Sequence, residues 1–420
     1  MTFFKPGHFI MFHSTMTFSQ FYLSSKSRWL RAMVAVVVVY IFVQVSWTSR
    51  EYIRPCCMDA QHVSTSGFKE HYKWTCIDRL ANRHKRVEDI YCIVLPEFLP
   101  HIKNPCFYDY GSKHRELRCL PYFYIIGMDK SASTDLHSRL AKHPLVMENR
   151  GNLGKETAYW SWYRYGIFNK KTVNRKMYLD DYLTMFADTA KMIQDANRTQ
   201  IITGDATPMD LWDFRSWPSI PQNAHKEEPE VLTPHLIQYI HQGRTPKFII
   251  QLREPVERLY SDYIFLKYGN NPTEFHKHSM EAIDLMNNCT GNHSRRFCYF
   301  SKALYQKLPA RLHLGCYSVF LKEWFNVFPR SAFLITRTDE YMKDMSATLT
   351  RVFQFMDLPT PPQDQMADIL NQTRRHVTQK KAGKIRPETV TALRKFYDDC
   401  NKETAELLQD DRFLWSDHYT

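Results

Sequence analysis

Glycine is scarce, 13 of 420 residues, and proline numbers only 21. That composition excludes a collagen-like repeat and any long low-complexity linker. The 10 cysteines include no C-x-x-C motif, and we expect no metal site. Acidic side chains are outnumbered, 44 against 56 Lys and Arg, which leaves a formal charge of +12. The imbalance suits an anionic partner, whether nucleic acid, an acidic membrane or a sulfated or phosphorylated ligand, and does not choose among them. No basic-aromatic module accompanies it, so nucleic acid is not the expected partner. The chain is 44% hydrophobic and 24% charged, as a globular protein is. Its length suits one large domain with appendages.

Long apolar runs are missing with one exception, Ala32 to Trp47, which carries no charge. Trp29 and Trp47 bracket it as interfacial aromatics do, and Lys26, Arg28 and Arg31 precede it. The stretch is just long enough to span a bilayer with Arg31 snorkelling. The basic lead-in favours a cytoplasmic N-terminus. We therefore expect a cytoplasmic tail over 1–28, a single-pass signal anchor over 29–48, a stem and Cys-rich lead-in over 49–118, and a lumenal domain over 119–420. A cleaved signal peptide is the alternative. Both send the rest of the chain into an oxidising lumen, where cysteines pair. Four sequons, at Asn197, Asn288, Asn292 and Asn371, are the expected glycosylation sites there. Cys289 and Cys298 flank a polar stretch read as a loop, Thr290 to Phe297, and are a plausible local disulfide.

From Pro121 strands and helices alternate. Tyr122 to Ile126, Lys247 to Leu252 and Ser331 to Thr336 read as buried strands. Helical patterns run from Thr134 to Leu140, Val256 to Lys267 and Leu304 to Pro309, and another starts at Pro387 with Val390, Leu393, Phe396, Tyr397 and Cys400 on one face. Such alternation predicts an α/β fold, a central parallel sheet with helices on both faces.

In such sheets ligands bind at the carboxyl ends of the strands. The first strand runs into Gly127-Met-Asp-Lys-Ser-Ala-Ser-Thr134. A turn opening a helix offers backbone N–H groups and a dipole to an anion, and Lys130 adds a full charge. A nucleotide P-loop would need Gly at Ala132 and Lys at Ser133, so an ordinary NTPase is disfavoured. The second strand runs into Arg253-Glu-Pro-Val-Glu-Arg-Leu-Tyr-Ser261. A strand-tip Arg253 and a Ser261 two helical turns on could clamp a phosphate. Arg253 and Glu254 as a surface ion pair is the competing reading.

These two segments resemble those of the PAPS-dependent Golgi carbohydrate sulfotransferases (PAPS is 3'-phosphoadenosine-5'-phosphosulfate). That family's Pro-Lys-x-Gly-Thr-Thr stands here as Asp129-Lys-Ser-Ala-Ser-Thr134, and its Arg-x-Pro-x-x-Arg-x-Tyr-Ser is matched in full. Gly204-Asp-Ala-Thr-Pro208, Trp212-Asp213 and Lys155-Glu156 before Tyr159-Trp160 look like the branch of N-acetylgalactosamine 4-sulfate 6-O-sulfotransferases. The resemblance implies a P-loop-like sulfotransferase fold on a type II Golgi membrane protein, with a sulfated glycosaminoglycan as acceptor, PAPS as donor and no metal. It implies that Lys130, Ser131, Ala132, Ser133 and Thr134 hold the 5'-phosphosulfate, that Arg253 and Ser261 hold the 3'-phosphate, and that Lys381, Gly383 and Lys384 belong to a late donor-covering loop. It makes Lys130 and Glu156 catalytic, Glu156 as the base, and the expected acceptor contacts are Lys155, Arg374 and Arg375.

Four positions depart from the pattern, one of them mildly, Ser133 for threonine. Asp129 replaces proline and sets a carboxylate beside an anion site, where it must pair with a cation or point away. Ala132 replaces glycine and brings a Cβ to a turn suited to positive φ. Thr157 follows Glu156 where proline is usual. Asp129 and Ala132 favour a rival of another class, a catalytically inactive protein that binds glycosaminoglycan or nucleotide. The sequence carries no signal for an oligomeric state.

Overall fold

The computed structural model describes residues 57–59, 73–75, 89–93, 95–109, 115–167, 175–373 and 383–418. The expected anchor over 29–48 lies outside them, and no helix among the described residues is long and apolar enough to cross a membrane.

Five strands build the sheet: β1 (Phe123–Gly127), β2 (Val146–Met147), β3 (Ile202–Asp205), β4 (Lys247–Leu252) and β5 (Phe333–Arg337). Their order is β2-β3-β1-β4-β5, and every neighbouring pair is parallel. Side chains alternate between two cores, as a twofold strand period demands. Phe123, Ile125 and Ile249 face one side, with Leu136, Leu140, Val352 and Phe353 from helices above them. Tyr124, Ile126, Phe248, Ile250 and Leu252 face the other, against Leu211, Leu259 and Trp324. The expected three-layer α/β architecture is what forms.

The helices include α1 (Ser133–Leu140), α2 (Pro255–Phe265), α3 (Pro272–Asn292) and α4 (Pro387–Leu408). α1 and α2 leave the carboxyl ends of the adjacent central strands β1 and β4. Both α2 and α4 begin on proline, whose missing N–H costs nothing at a helix start. On α4, Leu393, Tyr397 and Cys400 are buried, while Val390 and Phe396 are half-buried at the core's margin.

A hairpin of Cys106–Asp109 and Glu116–Cys119 precedes the sheet, closed by a Cys106–Cys119 disulfide. Ile90 and Phe107 lie in the same core as β4. The expected Cys289–Cys298 bridge is present, but the loop expected around it is mostly helix. α3 continues to Asn292, and a new helix runs over Arg295–Phe300. Asn-Thr-Gly composition reads as a turn in isolation, but Ala282 and Met286 are buried on α3, and that packing carries the helix past the polar residues.

Candidate active site

β1 pairs with β4 through Ile125, skips one residue and resumes at Gly127. A Cβ on Gly127 would come within 2.5 Å of Leu211, so the close approach requires glycine. The chain then turns through two left-handed residues, Lys130 at φ 66° and Ala132 at φ 64°. The positive φ suspected at the alanine is real. An L-residue pays roughly 1–2 kcal/mol for that conformation. Thr338 Oγ1 restrains the turn, donating to Leu252 O at 3.0 Å and Ser131 O at 3.3 Å. Ala132, Ser133 and Thr134 then open α1 onto a cavity of about 1020 Å³. The first-turn amides of a helix have no partner within it, and the dipole there is positive. Ser131 is buried in the turn, its hydroxyl without a hydrogen-bond partner.

From β4, Arg253 enters the same cavity. Its Nη1 reaches Lys130 O at 3.4 Å, and its Nη2 pairs with Glu257 at 3.1 Å. The surface pair with Glu254 does not form, because Glu254 is buried and caps α2, accepting from Glu257 N at 2.7 Å. Ser261 lines the cavity two turns into α2. Lys130 Nζ lies 3.6 Å from the Phe265 ring centroid, a cation–π contact at the end of that helix. Burial holds the Lys130 pKa below the usual lysine value, against the pull of Asp262 and Asp129.

Asp129 does not point away; it pairs. Arg311 Nη2 lies 3.2 Å from its Oδ2, and Arg311 also grips Asp262 on α2, its Nε donating at 2.8 Å. Burial pushes the Asp129 pKa up to about 6, a rise that Asp262 and Glu156 reinforce and Arg311 resists. Asp262 is also penalised by burial, but Arg311 and Arg258 outweigh that and hold its pKa below the usual range. Arg311 is the cavity cation that the sequence reading missed. It stands just before a 3-10 turn, Leu312–Gly315, outside every recognised motif, so no local signal marks it.

The far wall carries Lys155 and Glu156. Lys155 Nζ bonds Glu156 Oε1 at 2.9 Å and Ala206 O, just beyond β3, at 2.7 Å. The structure thus gathers Lys130, Ala132, Ser133, Thr134, Lys155, Glu156, Arg253 and Ser261 around one cavity. Gly383 is not among the cavity's lining residues but is tied to α2, its carbonyl accepting from Tyr260 OH at 3.2 Å, and Lys384 is exposed next to it. Gln372 is tied to Ser138 on the cavity face of α1 at 3.1 Å. Arg374, Arg375 and Lys381 lie outside the described residues. The four sequon asparagines are all exposed. No group of three metal-ligating side chains occurs among the described residues.

A family sequence model described as a sulfotransferase domain matches residues 121–402. A Mus musculus relative named carbohydrate sulfotransferase 15 is 35% identical over 319 residues, covering 72% of this chain and 56% of the relative. The Homo sapiens protein of that name is 30% identical over 391 residues, covering 80% and 69%. The chain therefore spans little more than half the length of the mouse relative. Among solved structures, a sulfotransferase from Alicyclobacillus acidocaldarius is 16% identical with a TM-score of 0.39, covering 70% of this chain and 97% of that one.

Proposed function

This chain belongs to the sulfotransferase domain family, and from that premise we propose that it transfers a sulfuryl group from PAPS to a hydroxyl of a glycosaminoglycan sugar. The finer reading is the 6-O position of N-acetylgalactosamine 4-sulfate in chondroitin or dermatan sulfate, carried out in the Golgi lumen by a type II membrane protein. The observation that carries it is the convergence of Lys130, Glu156, Arg253 and Ser261 on one cavity at the strand ends of β1 and β4. Its residues fit the donor: a helix N-terminus and a lysine for the phosphosulfate, an arginine and a hydroxyl for the 3'-phosphate.

The donor supplies an activated sulfuryl group on a weakly basic phosphate, so an in-line displacement needs little beyond positioning and charge stabilisation. Lys130 and the first amides of α1 face the oxygen on which charge builds. Glu156 takes the proton of the acceptor hydroxyl as its oxygen bonds to sulfur, an assistance of about 10²–10⁴-fold. Arg253 exchanges Glu257 for the 3'-phosphate, with Ser261 donating beside it. Lys155 holds Glu156 through their 2.9 Å ion pair and meets the acceptor's negative charge, as do Arg374 and Arg375. Lys381, Gly383 and Lys384 close over the donor.

Asp129 and the strained Ala132 favour a second reading, a binding protein without transfer. The discriminating assay is transfer of labelled sulfate from PAPS to chondroitin sulfate. Transfer that disappears in Lys130→Ala and Glu156→Ala, with acceptor binding retained, supports the enzyme. Binding with no transfer to any glycosaminoglycan tried supports the second reading and ends the first.

A further inference from the structure

Glu156 belongs to a segment with no regular secondary structure, residues 156–158, so a helix or strand does not aim it. Its carboxylate is one-quarter exposed and bonded to Lys155, its own neighbour. What holds the segment in place lies one residue on and one strand away. Thr157 Oγ1 donates to Asp205 Oδ2 at 2.6 Å, and Thr157 N to Asp205 Oδ1 at 3.4 Å. Thr207 Oγ1 donates to Asp205 Oδ1 at 2.7 Å and in turn accepts from Ala158 N at 3.1 Å. Tyr182 OH donates to Asp205 Oδ2 at 3.1 Å. Asp205 is the last residue of β3 and is 1% exposed.

We propose that Asp205 is a positioning residue for the sulfuryl transfer: it is the rigid anchor on β3 that sets where the Glu156 carboxylate stands in the cavity. The proposal rests on the reading of Glu156 as base. An ionised carboxylate only accepts hydrogen bonds, and here two threonine hydroxyls, a tyrosine hydroxyl and a backbone amide all donate to it. Burial raises the Asp205 pKa, and those donors oppose the rise without cancelling it. Asn149 braces the same junction, its Nδ2 donating to Gly204 O at 2.7 Å and Lys155 O at 3.1 Å. Consecutive Cα atoms are about 3.8 Å apart, so fixing Thr157 fixes the base next to it. A misplacement of about 1 Å costs roughly 10²-fold in rate.

Asp205→Asn keeps the shape and replaces one acceptor oxygen by an NH₂ donor, so the two groups that donate to that oxygen must reverse their hydrogen or lose the bond. The test compares wild type, Asp205→Asn, Glu156→Ala and the double variant, as full chains. Expected are a kcat about 10²-fold lower in Asp205→Asn, an unchanged KM for PAPS, and a double variant no slower than Glu156→Ala alone, because residues acting as a unit are not additive. Hydrogen exchange should speed up at Thr157 and Ala158 but not on α1. Unchanged kcat, or a further loss stacked on Glu156→Ala, overturns the proposal. If wild type transfers no sulfate, the functional reading is what fails, and exchange at Thr157 and Ala158 left unaltered in Asp205→Asn overturns the anchoring separately. Should Asp205→Asn not fold, Thr207→Ala removes one donor and supports the same comparison.

Discussion

Asp129 holds a carboxylate where the proposed ligand is anionic, and its titration makes that conflict measurable. Its folded pKa, pushed up to about 6 chiefly by burial, lies above the value of 3.8 that it has when exposed. Between those values the folded chain binds more protons than the unfolded one, so this residue's contribution to stability falls as pH rises through that window. Asp129→Asn cannot titrate. Denaturant melts at several pH values across that window should show the variant gaining on wild type as pH rises, on top of a constant offset from the lost Arg311 partner. Parallel curves for the two proteins would refute this. Ala132 gives a second test. Relief of left-handed strain, about 1–2 kcal/mol, is partly cancelled by the freedom glycine gains when unfolded, about 0.4–1 kcal/mol. Ala132→Gly should therefore raise the melting temperature by a few degrees at most; a lower one would mean the Cβ is packed rather than strained.

The disulfides rank by the chain they close. Cys316–Cys400 joins the helix Tyr317–Phe325 to α4 across a sequence separation of 84, while Cys289–Cys298 spans only 9. Loop-closure entropy puts their contributions at about 4.5 and about 2.5 kcal/mol. Paired Cys→Ala replacement should reproduce that order in chemical denaturation, and the reverse order would mean that native strain outweighs entropy. The two bridges also mark what a sequence discloses about its elements. Cys289 and Cys298 are close along the chain, so their pairing is a local inference. Cys316 meets Cys400 only because two helices pack, and spacing carries no trace of that. The strand over Lys247–Leu252 is legible for the same reason as the short bridge, since Phe248-Ile-Ile250 and Leu252 make a short apolar run, broken only by Gln251 and ended by Arg-Glu-Pro. α3 is misjudged at its C-terminal end because burial of Ala282 and Met286 is invisible to composition.

The cavity follows the same division. Lys130 and Arg253 are legible because each closely follows the carboxyl end of a strand, and the fold brings adjacent strand ends together. Arg311 is not, since its place beside Asp129 depends on a fold spanning a sequence separation of 182. A site assembled from β1, β4, α1, α2 and the Glu156 segment exists only in the native chain, so its ligand binds the unfolded state negligibly and must stabilise the whole molecule. PAP, the desulfated donor, should raise stability by about 2.7 kcal/mol at a hundredfold excess over its Kd. The proposed 3'-phosphate contact predicts a contrast. Adenosine 5'-phosphate lacks that group and should require a much higher concentration for the same thermal shift. Arg253→Ala should bring the two ligands together by weakening PAP alone, since truncating one side of a charge-assisted pair removes about 1.5–3 kcal/mol. Equal shifts from both nucleotides in wild type would place the 3'-phosphate elsewhere, and the absence of any shift with PAP would mean that the gathered cations do not hold a nucleotide.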